Sequence, residues 1–135
     1  METKDTGKVR LSVEENSYLH AVIYTEGEII EADIQPVTDY LNMFSAPVPA
    51  LFERKGHYTI SILVQITMMQ QTKRRLKAVA FIERDRRDAL MTKIAASTYF
   101  RDVEVRSFYE RKMAVDWLRQ FFSSTPLLPQ ARNTA

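Results

Sequence analysis

Four side chains stand where an anion or a partner could be held: Arg54, Tyr58, Ser61 and Arg84. Arg54 and Arg84 each directly follow an apolar run, Ala50-Leu51-Phe52-Glu53 in one case and Leu76–Glu83 in the other. As strand ends, both would reach the carboxyl edge of a sheet, where ligands of open α/β sheets bind. Helix N-termini point at that same edge and favour negative charge. Surface pairing of the two arginines with Glu53 and Glu83 is the competing reading. Thr59 and Ser61 open a helical pattern, where a hydroxyl accepts a backbone N–H and stabilises the helix start by ~1 kcal/mol. A phosphate on Ser61 would be favoured there by the helix N-terminus and by Arg54, Lys55 and His57.

Chemistry other than binding finds little footing. His20 and His57 are the only histidines, and neither has partners at ligand spacing, so neither a metal site nor a catalytic dyad is expected. The chain has no cysteine, which excludes a disulfide framework, a thiolate metal site and a thiol nucleophile, and fits a reducing cytoplasm. Gly7, Gly27 and Gly56 are isolated from one another, so no glycine-rich phosphate loop can form. Lys73-Arg74-Arg75-Leu76-Lys77 and Arg84-Asp85-Arg86-Arg87 flank opposite ends of one strand, too far apart for a single patch, and lack the exposed aromatics of a stacking platform. No nucleophile–base pair is visible. The residues therefore point to a non-enzymatic protein with no cofactor and no nucleic-acid partner.

The elements that must position these residues are organised around Leu76–Glu83. Its short, mostly apolar core between charged flanks fits a strand buried on both faces, as in a parallel sheet covered by helices. Upstream, Val9, Leu11 and Val13 alternate with Lys8, Arg10 and Ser12. Glu15-Asn16-Ser17 supplies turn chemistry and Tyr18–Tyr24 a second strand, which makes a hairpin. Ile30, Ile34, Val37, Leu41 and Phe44 mark an amphipathic helix, with Asp33 as its cap and Pro36 in its first turn. Pro47 and Pro49 stop that helix and lead into the strand ending at Glu53.

Tyr58–Met69 reads both ways. Its alternation and β-branched residues favour a strand. However, two consecutive parallel strands need a crossover of a dozen or more residues, and this is the only stretch that can supply it. Topology therefore predicts a helix. A further helix runs from about Arg87 through Tyr99 with Asp85 or Asp88 as cap, then a strand at Val103–Tyr109. A last helix follows, with Met113, Ala114, Trp117, Leu118 and Phe121 on its core face. Met43, Met68, Met69, Met91 and Met113 all fall on helices, as core gap-fillers or as the lining of an apolar pocket for a lipid-like ligand.

The net charge of +2 hides an asymmetry, with three basic against ten acidic residues in 1–53 and sixteen against seven thereafter. Either the two halves attract each other within the fold or they offer an acidic and a basic end for association, which would suit a homodimer. No apolar run approaches the ~20 residues of a membrane span, and the polar start is no signal peptide. A single domain over residues 8–122 is expected, between a disordered N-terminus at 1–7 and a flexible tail at 123–135.

With the elements placed, the chain resembles the SpoIIAA-like group of STAS domains, in particular its small stand-alone bacterial members. Three stretches carry the likeness. The first is Leu51-Phe52-Glu53-Arg54 with Tyr58-Thr59-Ile60-Ser61 and Gln65. The second is Lys77-Ala78-Val79-Ala80-Phe81. The third is Val105-Arg106-Ser107-Phe108 leading to Ala114-Val115-Asp116-Trp117-Leu118. The resemblance implies an N-terminal hairpin followed by β-α repeats, in a mixed, mostly parallel sheet covered by helices. It also implies regulation through contact with a protein partner, or the binding of a small anionic or lipid-like ligand, rather than catalysis. In the sporulation antagonists of that group, a phosphorylated Ser in an Asp-Ser motif opens the second helix. Here Ser61, in Ile60-Ser61-Ile62, is the nearest counterpart and lacks the preceding acid.

Overall fold

The structure is a computed structural model that describes residues 3–98 and 100–127. Met1, Glu2, Tyr99, the side chain of Met69 and the end of the expected tail, 128–135, lie outside the described residues.

One sheet of six strands forms the centre, in the order β1 (Lys4–Asp5), β2 (Val9–Glu14), β3 (Tyr18–Ile23), β5 (Val48–Arg54), β7 (Leu76–Ile82) and β8 (Glu104–Phe108). The first three strands pair antiparallel and the remaining pairings are parallel. A separate two-residue ladder joins β4 (Glu28–Ile29) to β6 (Thr59–Ile60), also in parallel. The hairpin turn between β2 and β3 holds Glu15 and Asn16 at positive φ, the geometry that matches the right-handed twist of the strands it joins. The mixed, mostly parallel sheet is the one expected, and β7 lies between β5 and β8 as the crossover argument requires.

Among the described residues, four α-helices cover the sheet: α1 (Ile34–Leu41), α2 (Ile62–Thr72), α3 (Arg86–Ser97) and α4 (Arg111–Leu118). Because side chains alternate along a strand, each strand feeds two cores. Val9, Leu11, Leu19, Ala21, Val48, Ala50, Val79 and Phe81 meet Tyr40, Leu41 and Phe44 from around α1 and Ala95 from α3. On the opposite face, Leu51, Ala78 and Ala80 meet Ala114, Val115 and Leu118 of α4. Pro49, expected only to end a helix, lies within β5 at a shift of register against β7. A bulge is where a strand tolerates a residue without an N–H.

The ambiguous stretch resolves as the topology demanded: α2 is a helix and Ser61 is its cap, accepting the Val64 N–H at 3.2 Å. Thr59 instead joins the small ladder. Asp85 caps α3, accepting the Asp88 N–H at 2.9 Å. Three expectations need correction. Asp33 makes no side-chain cap to α1; its carboxylate accepts the Ile30 N–H and the Lys8 ammonium, each at 2.7 Å. Met113 is exposed and Val115 takes its place in the core, because the buried stripe of α4 runs Ala114, Val115, Leu118. The ends are also more engaged than expected: Lys4–Asp5 pairs with β2, and Leu127 donates its N–H to Asn16 at 2.7 Å.

Candidate functional site

The candidate site lies on the α1–α3 face of the sheet, at the carboxyl ends of β5 and β7. Arg54 is the last residue of β5 and shares the parity of Ala50 and Phe52, so its side chain turns into the core face. It is 2% exposed. Its guanidinium lies 4.5 Å from the centre of the Phe81 ring. Nε donates to the Tyr58 hydroxyl at 3.1 Å, and Nη1 donates to Thr92 Oγ1 at 2.9 Å and to the Asp88 carbonyl at 3.4 Å. Neither surface pairing nor an open edge describes it: Glu53 points to the opposite face, near His20 and Lys55.

Arg84 follows β7 and grips Asp88 with two parallel bonds, Nε to Oδ2 at 2.8 Å and Nη2 to Oδ1 at 3.0 Å. Nη2 also donates to the Gly56 carbonyl at 3.0 Å. Only glycine fits at 56, since a Cβ there would stand 2.0 Å from the Thr25 carbonyl oxygen. Burial alone would push the Asp88 carboxyl up. The hydrogen bonds from the Arg84 side chain and backbone, with the charges of Arg84 and Arg54, outweigh that and hold it below the ordinary carboxylate range. Its carboxylate in turn holds Arg84 further in the charged form. Arg87 closes the cluster, donating from Nη2 to the Tyr58 carbonyl at 2.7 Å.

Of the four residues singled out from the sequence, the structure therefore brings Arg54, Tyr58 and Arg84 together. Ser61 stands apart, exposed at the start of α2. The sequence reading missed Asp88 and Thr92, which lie one helical turn apart on the inner side of α3. Their spacing of four was the available signal.

Tyr58 and Phe81 also line an apolar cavity of about 70 Å³ between the sheet and the helices α1 and α2. Leu11, Ala21 and Phe52 form its floor, and Val37 and Met68 are among the residues that close it. Asp33 is the one carboxylate among its described lining residues, already bound by Lys8. The helix above is unusual. Ile62 and Leu63 are 74% and 76% exposed, and Ile66 is also exposed, while Met68 and Thr72 of the same helix face the cavity. A polar tie joins α2 to α1, from the Thr38 hydroxyl to Gln71 Oε1 at 2.9 Å.

The other face carries a polar group that the sequence reading treated as an isolated histidine. His20 is 8% exposed, and its Nε2 has no hydrogen-bond partner among the described residues, although Glu53 Oε2 lies 3.5 Å away. Burial, helped by the charge of Arg111, pushes its pKa down despite the opposing pull of Glu53 and Glu14. His57 is exposed between Glu26 and Asp85, at 3.9 Å and 3.6 Å. Among the described residues, no group of three or more potential ligands is placed to hold a metal ion, and no helix is long and apolar enough to cross a membrane.

No family model matches the chain, and no curated protein matches it. Among solved structures it is similar to an uncharacterized protein of the DUF3478 family with a SpoIIAA-like fold, from Shewanella loihica PV-4. The superposition has a TM-score of 0.59 at 20% identity and covers 82% of this chain and 91% of that one. The fold is SpoIIAA-like, as the resemblance implied.

Proposed function

We propose that the chain is a non-enzymatic binding domain that takes up an apolar or amphiphilic small molecule in the cavity beneath α2. The observation that carries this reading is the pairing of an apolar cavity with a helix that is apolar on both sides. A helix buried on one face normally shows charge on the other. Here the outer residues Ile62, Leu63 and Ile66 are as apolar as the cavity lining, so an outward shift of the helix exposes little that is not already exposed in kind, at the expense of the Thr38–Gln71 bond. The present volume is about half that of an apolar cavity known to admit benzene, ~150 Å³. Uptake of a longer guest therefore requires α2 to swing outward. The carboxyl-edge arginines, expected at the surface, brace α3 against β5 and β7.

Titration with a neutral solvatochromic dye tests the reading. Saturable binding of one dye per chain is expected, and Ala21→Leu, which fills the cavity from β3, should abolish it. Equal binding by the filled variant contradicts the proposal.

A protein partner docking on the outer face of α2 is the second reading, favoured by the exposure of Ile62 and Leu63 together. A homodimer through that face would appear by light scattering and would be lost in Leu63→Glu. A monomer at every concentration counts against it. Both readings suit a cytoplasmic, cysteine-free protein.

A further inference from the structure

We infer that the guest of this cavity is an anionic amphiphile, a single acyl chain ending in a carboxylate, and that Arg54 selects it. The inference rests on the cavity reading above and deepens it. Its basis is an imbalance of buried charge. Two guanidinium groups, Arg54 and Arg84, converge on one carboxylate, Asp88, and both oxygens of that carboxylate are engaged by Arg84. Among the described residues, no carboxylate oxygen lies within 4.0 Å of Arg54. A cation this deeply buried is costly unless its charge is met. The Phe81 ring face and the Tyr58 hydroxyl meet it only in part.

The geometry of the fork gives the ligand class. Arg54 spends Nη1 on Thr92 and the Asp88 carbonyl, which ties it to α3. The opposite edge, Nε with Nη2, holds a single neutral oxygen, that of Tyr58, and Nη2 has no hydrogen bond to a described residue. That edge is the one Arg84 presents to Asp88, and it matches the two oxygens of a carboxylate. Tyr58, which bonds that edge, and Phe81, whose ring lies against the guanidinium face, both line the cavity, and Arg54 stands just behind them. A carboxylate entering with its chain beneath α2 takes both nitrogens by displacing the Tyr58 hydroxyl. The apolar lining holds the chain and the buried cation holds the head.

Calorimetric titration of the full chain with decanoic acid and with 1-decanol, below their aggregation limits at neutral pH, tests this. The acid is expected to bind tighter by about tenfold or more, the margin of a charge-assisted over a neutral hydrogen bond. Arg54→Met should erase the preference and keep the alcohol. Because that variant risks unfolding, Tyr58→Phe provides a second reading: it keeps the ring, frees Nε, and should raise affinity for the acid but not for the alcohol. Equal binding of acid and alcohol overturns the assignment while leaving the cavity reading in place. So does a preference that survives in folded Arg54→Met, or an acid affinity unmoved by Tyr58→Phe. Binding of neither compound overturns both.

Discussion

The two faces of the sheet are covered in different ways. On one face α4 lays Ala114, Val115 and Leu118 against Ala78, Ala80 and Leu51, with small residues opposed so that helix and sheet approach closely. Its outer side is mostly charged, with Arg111, Lys112 and Asp116 exposed beside Met113, and Trp117 packs between Phe108 and Phe121. On the other face, α1, α2 and α3 leave a cavity, bury a guanidinium and turn aliphatic side chains outward. The first arrangement is what a helix does when stability is its task. The second keeps apolar surface on both sides of α2, with Ile62, Leu63 and Ile66 turned to solvent. The difference separates a face packed for stability from the face on which the proposed binding rests.

The comparison can be broken most sharply at matched leucines. Leu118→Ala on α4 should cost about 2–5 kcal/mol, since Leu118 is fully buried. Leu63→Ala on α2 should stay within about ±0.5 kcal/mol, as an exposed change does. Urea melts of both variants decide; similar losses would mean that α2 is packed as α4 is.

Asp88→Asn comes next, at about 3 kcal/mol, because it leaves Arg84 without the carboxylate that its Nε and Nη2 both bind and removes a negative charge that also acts on the buried Arg54. The sign with pH follows from the lowered Asp88 pKa. Its stabilisation is fully present above the unfolded carboxyl value of about 3.9 and is lost as pH falls through the lower folded value. The variant should therefore show a flatter acid limb in stability against pH.

How much of this was legible in the sequence depends on the range of the cause. The β-α order and the helix over 62–72 were readable because local periodicity and the crossover rule act on neighbouring segments. The parity of Ala50, Phe52 and Arg54 already placed Arg54 on the core face, yet a charge after a strand reads as a surface residue until its partners are known. Those partners, Thr92 and Asp88, lie 38 and 34 residues away. Lys4–Asp5 is too short a strand for any pattern to reveal. The charges that act on His20, those of Arg111 and Glu53, are likewise brought to it only by the fold.

His20 sharpens the comparison from the other face. Burial lowers its pKa in the fold, so unfolding takes up protons below the ordinary value of about 6.5; it adds nothing above that pH and lowers stability beneath it. The slope is at most about 1.4 kcal/mol per pH unit. His20→Leu should remove it; an unchanged slope between pH 6.5 and 5 would place the source elsewhere. The smallest effect is Ser61→Ala, about 1 kcal/mol through the lost cap, seen as faster exchange of the first amides of α2 with the global melt nearly unmoved.

Hydrogen exchange resolved along the chain tests most directly whether the two faces differ. The amides of α4 should exchange only through global unfolding, and those of Ile62–Thr72 through a smaller opening of much lower free energy that slows when decanoic acid is bound. Protection of α2 equal to that of α4, unmoved by the ligand, would contradict the account.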